Sequence, residues 1–240
     1  MKKLILLIWV AAYSTVPALA DDHASESAGN GAFTTLFVAA KDVEGYIKSV
    51  KSNPSLFEAI GTDAAGYCET ISGRDDVGQL MIWNAFSSVT DALVGASKYD
   101  ASKAPADMAS QRTFKYATTW APLKPFPRLD PGYERAMRIK ISSENLPVFI
   151  ATISKMEREI IAAGHDSFMN GLFVAMGGGV NEAGTYYLKS ITSSVETHGA
   201  VIDDYFAGAA WGATYNEASA MIDEVVNDQF EVCEQFYTAE

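Results

Sequence analysis

The segment SSVTDALVGASKY at residues 87–99 returns as SSVETHGAVIDDY at residues 193–205, an offset of 106 residues. The same offset pairs Gly73 with Gly179, Gly78 with Gly184 and Tyr99 with Tyr205. Nearer the start of each copy it slips to 103, where Val43, Tyr46 and Ile47 meet Leu146, Phe149 and Ile150. The glycines suit the turns at both ends of a strand connection, and the apolar sets recur at helical spacing. A chain built this way must fold as two like units. Between them, residues 121–133 carry Pro122, Pro125, Pro127 and Pro131, a density that neither helix nor central strand tolerates. They read as a proline-rich linker between unit 1 (33–120) and unit 2 (134–240).

Each unit reads strand, helix, strand, strand, helix, strand. In unit 1 strands are expected at 33–40, 64–72, 79–86 and 113–120, with helices at 42–60 and 87–99. Asn53 and Pro54 can restart the first helix as cap and first-turn residue. In unit 2 strands are expected at 135–141, 168–176, 185–192 and 229–237, with helices at 144–163, 195–209 and 216–226. Ser88 with Asp91, and Ser193 with Glu196, read as capping boxes that start equivalent helices. The fold class is α+β, two tandem βαββαβ ferredoxin-like units.

This tandem pattern resembles the dimeric α/β-barrel superfamily, which includes stress-responsive A/B-barrel, EthD-like and antibiotic-biosynthesis-monooxygenase-like proteins. The resemblance covers nearly the whole chain beyond residue 32. It implies two sheets facing each other around a central cavity with helices outside, here as a pseudo-dimeric barrel within one chain. The strands agree. Residues 79–86 put Leu80, Ile82 and Phe86 on one side and Met81, Trp83 and Ala85 on the other, so neither face is left for water. The resemblance also places the second strand of one unit beside the fourth of the other. Cys68 and Cys233, the only two cysteines, lie on those strands, so it implies a disulfide across the seam.

Residues 1–20 carry Lys2 and Lys3, an apolar run and the sequence Ala18-Leu19-Ala20, the pattern of a secretory signal peptide. Residues 21–32 read as a flexible leader. The expected location is periplasmic or secreted, and no later stretch is long and apolar enough to cross a membrane. Loss of Lys2 and Lys3 would take the formal charge from −12 to −14, which disfavours nucleic acid as a partner.

Parity along the strands nominates the site. Arg138 and Lys140 alternate with Met137, Ile139 and Ile141, whose apolar face should meet the helices, so the two bases should point into the barrel. Lys189 joins them, with Trp83, Phe37 and Tyr187 as apolar and aromatic walls. Clustered buried cations require an answering anion. That anion is either the carboxylate of a small amphipathic acid or protein acids such as Glu69 and Glu234, unless this face opens to water. The resemblance also points to haem-linked members with a histidine on a helix, which would be His198. Their haem-degrading pattern needs an asparagine on the first strand and a tryptophan on the third, where this unit has Arg138, Lys140 and Lys189; Arg138 and Lys189 could instead meet propionates. Signal cleavage would leave Asp21-Asp22-His23, and His23 third from a free amine makes a copper or nickel set. No phosphate-cradling loop is present, and MGGGVNEAG reads as a hairpin. Three function classes follow: a binder of a small amphipathic, acidic molecule in the barrel; a cofactor-independent or haem-linked oxygenase-like enzyme; and a structural or interaction protein with a filled barrel.

Overall fold

In a computed structural model, which describes residues 31–126 and 129–240, each half folds with the expected order of elements. Unit 1 comprises β1 (Ala32–Ala40), α1 (Val43–Lys51), α2 (Pro54–Ile60), β2 (Ala64–Ser72), β3 (Gln79–Phe86), α3 (Val89–Lys98), α4 (Ala106–Ser110) and β4 (Arg112–Pro122). Unit 2 comprises β5 (Tyr133–Lys140), α5 (Leu146–Ala162), β6 (Met169–Met176), β7 (Tyr186–Thr192), α6 (Val195–Phe206), α7 (Gly212–Ser219) and β8 (Glu224–Thr238). The signal-peptide reading, most of the leader and His23 lie outside the described residues. None of the described helices is long and apolar enough to cross a membrane.

The eight strands close into an antiparallel barrel in the order β1-β3-β2-β8-β5-β7-β6-β4. Each unit contributes the ferredoxin-like order fourth, first, third, second. The units meet at two seams, β2 with β8 and β4 with β6. Closure removes every sheet edge, and it explains why the strands are apolar on both faces. Phe37, Met81, Trp83, Trp120, Phe173 and Tyr187 turn inward to one central cluster. The opposite parity packs outward, Leu36, Val38, Leu80 and Ile82 beneath the helices of unit 1, and Met137, Ile139, Leu172 and Leu188 beneath those of unit 2.

Across the first seam Cys68 stands directly opposite Cys233, and the two form a disulfide. Cys233 donates its backbone N–H to Gly132 O at 2.7 Å, so its hydrogen-bonding edge faces β5. The cysteines therefore form a non-hydrogen-bonded pair, whose side chains lie closer together.

Three local expectations need correction. The helix expected at 216–226 ends at Ser219, and β8 begins at Glu224. Pairing of Glu224 with Lys140 and Val225 with Ile139 extends the strand, with Val226 bulged out; tertiary pairing of this β-branched run overrides its helical spacing. The second capping box shifts by one residue: Ser194, not Ser193, caps α6 by accepting from Thr197 N at 3.2 Å. Ser88 accepts from Asp91 N at 3.0 Å, so the two caps keep the 106-residue offset. Asn53 occupies the cap position of α2, but its side chain makes no capping hydrogen bond.

Candidate functional site

The lower end of the barrel, where β1 and β5 begin, and the upper end, which carries the β2–β3 and β6–β7 hairpins, are separated by a polar plug. Arg138 enters from β5 and is 6% exposed. Its guanidinium lies 4.0 Å from the ring centre of Tyr187, 5.1 Å from Phe37 and 5.8 Å from Trp120. Its charge is met by Glu182, with Nη2 3.0 Å from Oε1 and Nε 3.3 Å from each carboxylate oxygen. Tyr116 donates to the same carboxylate at 2.7 Å. Trp120 closes the layer by donating Nε1 to Thr35 Oγ1 at 2.9 Å. Burial opposes the charge on Arg138, but Tyr187, Glu182 and Tyr116 outweigh it and its pKa is raised. Glu182 reaches the barrel because the β6–β7 loop doubles back. A Cβ on Gly178 would stand 2.5 Å from Glu182 Cγ, so that position must stay bare.

Below the plug lies a cavity of about 310 Å³, of the size that holds small ligands. Its walls are Phe33, Met81, Trp83, Phe126 and Phe173. Phe173 meets Phe33 edge-on at 4.9 Å and Phe126 at 5.3 Å. Phe126 belongs to the proline-rich segment after β4, which is anchored by Leu123 N to Leu172 O at 2.8 Å and by Lys124 to Glu157 at 3.0 Å. Lys189 and Glu134, beside Cys68, form the polar end of the cavity, and Asp130 also lines it. Lys189 Nζ is in short contact with Glu134, 3.4 Å from Glu231 Oε2 and 3.8 Å from Cys68 Sγ. Burial penalises both charges. For Lys189, Glu134 with Tyr187 and Glu231 more than offset that penalty, so its pKa is raised and it stays an ammonium. For Glu134, burial dominates over Lys189 and its pKa is raised as well. Two acid side chains therefore face one ammonium.

Above the plug, a second cup of about 410 Å³ is lined by Phe37, Tyr116, Arg138 and Gln229, with the Lys115–Asp76 pair (2.8 Å) at its rim.

The single cavity expected from the sequence is thus divided. Trp83 and Lys189 line the lower cup, Phe37 and Arg138 the upper, and Tyr187, fully buried, separates them. Lys140 is not in the barrel: it stands at the upper rim, 45% exposed, paired with Glu224 at 2.7 Å. The bulge at Val226 and the end of β5 leave it beyond the closed part of the sheet. Neither acid named as a neutraliser serves. Glu234 pairs with Lys51 at 2.6 Å on the outside, and Glu69 makes no ion pair among those described. The acids that do serve, Glu134, Glu182 and Glu231, were missed. Two of them carried a signal: Glu134 shares strand parity with Arg138, and Glu231 with the seam-facing Cys233.

His198 lies on α6 against the outer face of the sheet, 4% exposed. Its Nδ1 is 3.2 Å from Thr192 Oγ1, and its ring packs against Tyr133 at 5.4 Å and Phe230 at 5.6 Å. Burial, helped by Arg135, lowers its pKa to about 4, so the ring is neutral at pH 7. The space beside it is filled by these two rings, so the residues do not fit a haem. Cys68, Glu134, Glu231 and Cys233 converge within 4.8 Å, but the sulfurs are joined and the Lys189 ammonium meets both carboxylates. That set does not fit a metal ion either.

No family model and no curated protein matches this chain. Solved structures do match in shape. The "putative monooxygenase" of Lactobacillus acidophilus NCFM aligns with TM-score 0.58 at 11% identity, over 88% of this chain and 96% of that one. A chlorite dismutase variant from Candidatus Nitrospira defluvii aligns with TM-score 0.53 at 12% identity, over 87% and 92%. An anthrone oxidase-like protein aligns with TM-score 0.52 at 9% identity, over 88% and 97%. At these identities the likeness is one of fold: the chain has the dimeric α/β-barrel fold of the superfamily whose pattern its sequence resembles.

Proposed function

We propose that this protein binds a small, neutral, ring-bearing molecule with a hydroxyl group in the lower cup of the barrel. The rings of Phe33, Trp83, Phe126 and Phe173 favour a flat apolar body. The observation that carries the reading is the charge balance at the cup's polar end, where Lys189 is the one cation that Glu134 and Glu231 meet among the described residues. An acid would bring a further negative charge to a cup whose described lining already holds more acids than bases. A hydroxyl instead donates to Glu134, whose carboxylate has lone pairs beyond the one Lys189 takes. The acidic ligand expected from the sequence is therefore revised for this cavity, because each nominated cation already has a protein carboxylate: Glu182 for Arg138, Glu134 for Lys189 and Glu224 for Lys140. A wholly filled barrel is not supported either, since the plug occupies only its middle layer.

A second reading is an oxygenase-like enzyme acting on the same class of molecule. It is supported by the names of the neighbours of this fold and by Glu134, whose raised pKa suits it to take a proton from a bound hydroxyl. We place the protein in the periplasm or outside the cell, supported by the signal-like first 20 residues and by the disulfide.

Isothermal titration with 2-naphthol tests the binding reading. Wild-type protein should bind it, Trp83→Ala should weaken binding at least tenfold, and 2-methoxynaphthalene, which cannot donate, should bind at least tenfold more weakly. Equal affinity for the two naphthalenes would remove Glu134 from the site.

A further inference from the structure

Arg112, the first residue of β4, is 6% exposed. Its Nη1 donates to Tyr46 OH at 2.5 Å and its Nη2 to Tyr99 OH at 2.9 Å, and the guanidinium lies 5.6 Å from the Tyr46 ring centre. Among the described residues no carboxylate comes within ion-pair distance of it. The other buried cations each have one: Arg138 has Glu182, Lys189 has Glu134, and Lys124 has Glu157. The phenols do not replace a carboxylate, since burial, only partly offset by Arg112, raises the pKa of Tyr46 and keeps it neutral. A buried charge without a counter-charge is costly.

Arg112 lines a cavity of about 510 Å³ on the helix side of the unit 1 sheet. Leu36, Val50, Phe57, Ile82 and Met108 form its apolar walls. Its lining also includes Leu93, 50% exposed, and Phe114, 40% exposed. Asn84 reaches the same cavity, with Nδ2 on Thr34 Oγ1 at 3.3 Å and a buried Oδ1 that has no partner. The acid that lines the cavity, Asp100, is turned to Ser102 and Lys103 and not to Arg112. In unit 2 the corresponding space is filled by Trp211, Tyr205, Tyr215 and Met221. The eight-residue α7 helps supply that filling, whereas its counterpart α4 has five residues and brings only Met108 to the apolar core.

We propose that this helix–sheet cavity of unit 1 is a binding site for an amphipathic acid, with the carboxylate on Arg112 and the apolar body between α2, α3 and the outer face of β1. The guanidinium offers the planar pair of donors that a carboxylate matches. The ligand's charge then answers the one buried cation, among the described residues, that has no protein carboxylate. This site lies on the opposite face of the sheet from the barrel cup and does not depend on it.

The test is calorimetric titration of the protein with decanoate and with 1-decanol at pH 7. Decanoate should bind at least tenfold more tightly. Arg112→Met should abolish that preference while leaving decanol within twofold, and Ala117→Trp, which narrows the cavity without touching Arg112, should weaken both. Saturating 2-naphthol should not displace decanoate. Equal binding of the two probes, no binding of either, a preference that survives Arg112→Met, or displacement by 2-naphthol would each overturn the proposal. Should Arg112→Met fail to fold, an unchanged decanoate affinity in Ala117→Trp overturns it alone.

Discussion

Four cations are buried among the described residues, and each is answered differently. Glu182 folds in from a loop to meet Arg138, Glu134 and Glu231 meet Lys189 from neighbouring strands, Glu157 meets Lys124 from a helix, and Arg112 has only phenols. Parity along β5 and β8 made Glu134 and Glu231 readable in principle, because a strand repeats its face every second residue. Glu182 was not readable, since nothing in a glycine-rich hairpin says that it turns back into the barrel. His198 belongs at this scale too. Its folded pKa of about 4 lies below the unfolded value of about 6.5. Between these values the unfolded chain binds more protons, so the contribution is fully present above pH 6.5 and is lost as pH falls towards 4. The shift corresponds to about 3 kcal/mol. Urea midpoints measured from pH 7 to pH 4 should show that loss in wild type and a flatter profile in His198→Gln; parallel profiles would mean that His198 titrates normally.

Among elements, most helices were legible because their apolar residues keep one period over many positions, and the strands because short runs apolar on both faces end at turn residues. The start of β8 was not, because Val225 and Val226 follow a helical spacing and become strand only when β5 is beside them. The β2–β8 seam shows what strand pairing adds. The disulfide there joins residues 165 apart in sequence, and in the chain-entropy picture a closed loop that long is worth about 5 kcal/mol, against a usual range of about 2–4 kcal/mol. Reduction should therefore lower the urea midpoint by an amount equivalent to about 2–5 kcal/mol. An unchanged midpoint, or two reactive thiols in the untreated native protein, would show that the seam is held without the bond.

At the scale of the whole molecule, duplication set the architecture and its later divergence set the chemistry. The repeated caps Ser88 and Ser194 start equivalent helices, and two like halves close one barrel. The positions where the copies disagree carry the polar groups of the interior: Thr35 against Arg138, and Trp83 against Lys189. Of the four disagreements visible in the sequence these two lie in the barrel interior, whereas Phe37 against Lys140 leads to the exposed rim and Ala92 against His198 to the outer face of the sheet. The partition of that interior into two cups was not visible, because it depends on Trp120, Tyr116 and Glu182 meeting across the barrel from strands and a loop far apart in the chain. The inference that buried cations seek an anion was sound, but in the barrel the protein supplies the anions itself. The central claim is that the lower cup is a binding site for a neutral, hydroxylated ring. A crystal structure of the protein with 2-naphthol tests it most directly. The account predicts the naphthalene ring among Trp83, Phe33 and Phe173 with its oxygen hydrogen-bonded to Glu134; a ring bound elsewhere, or a cup left without ligand at saturating 2-naphthol, would contradict it.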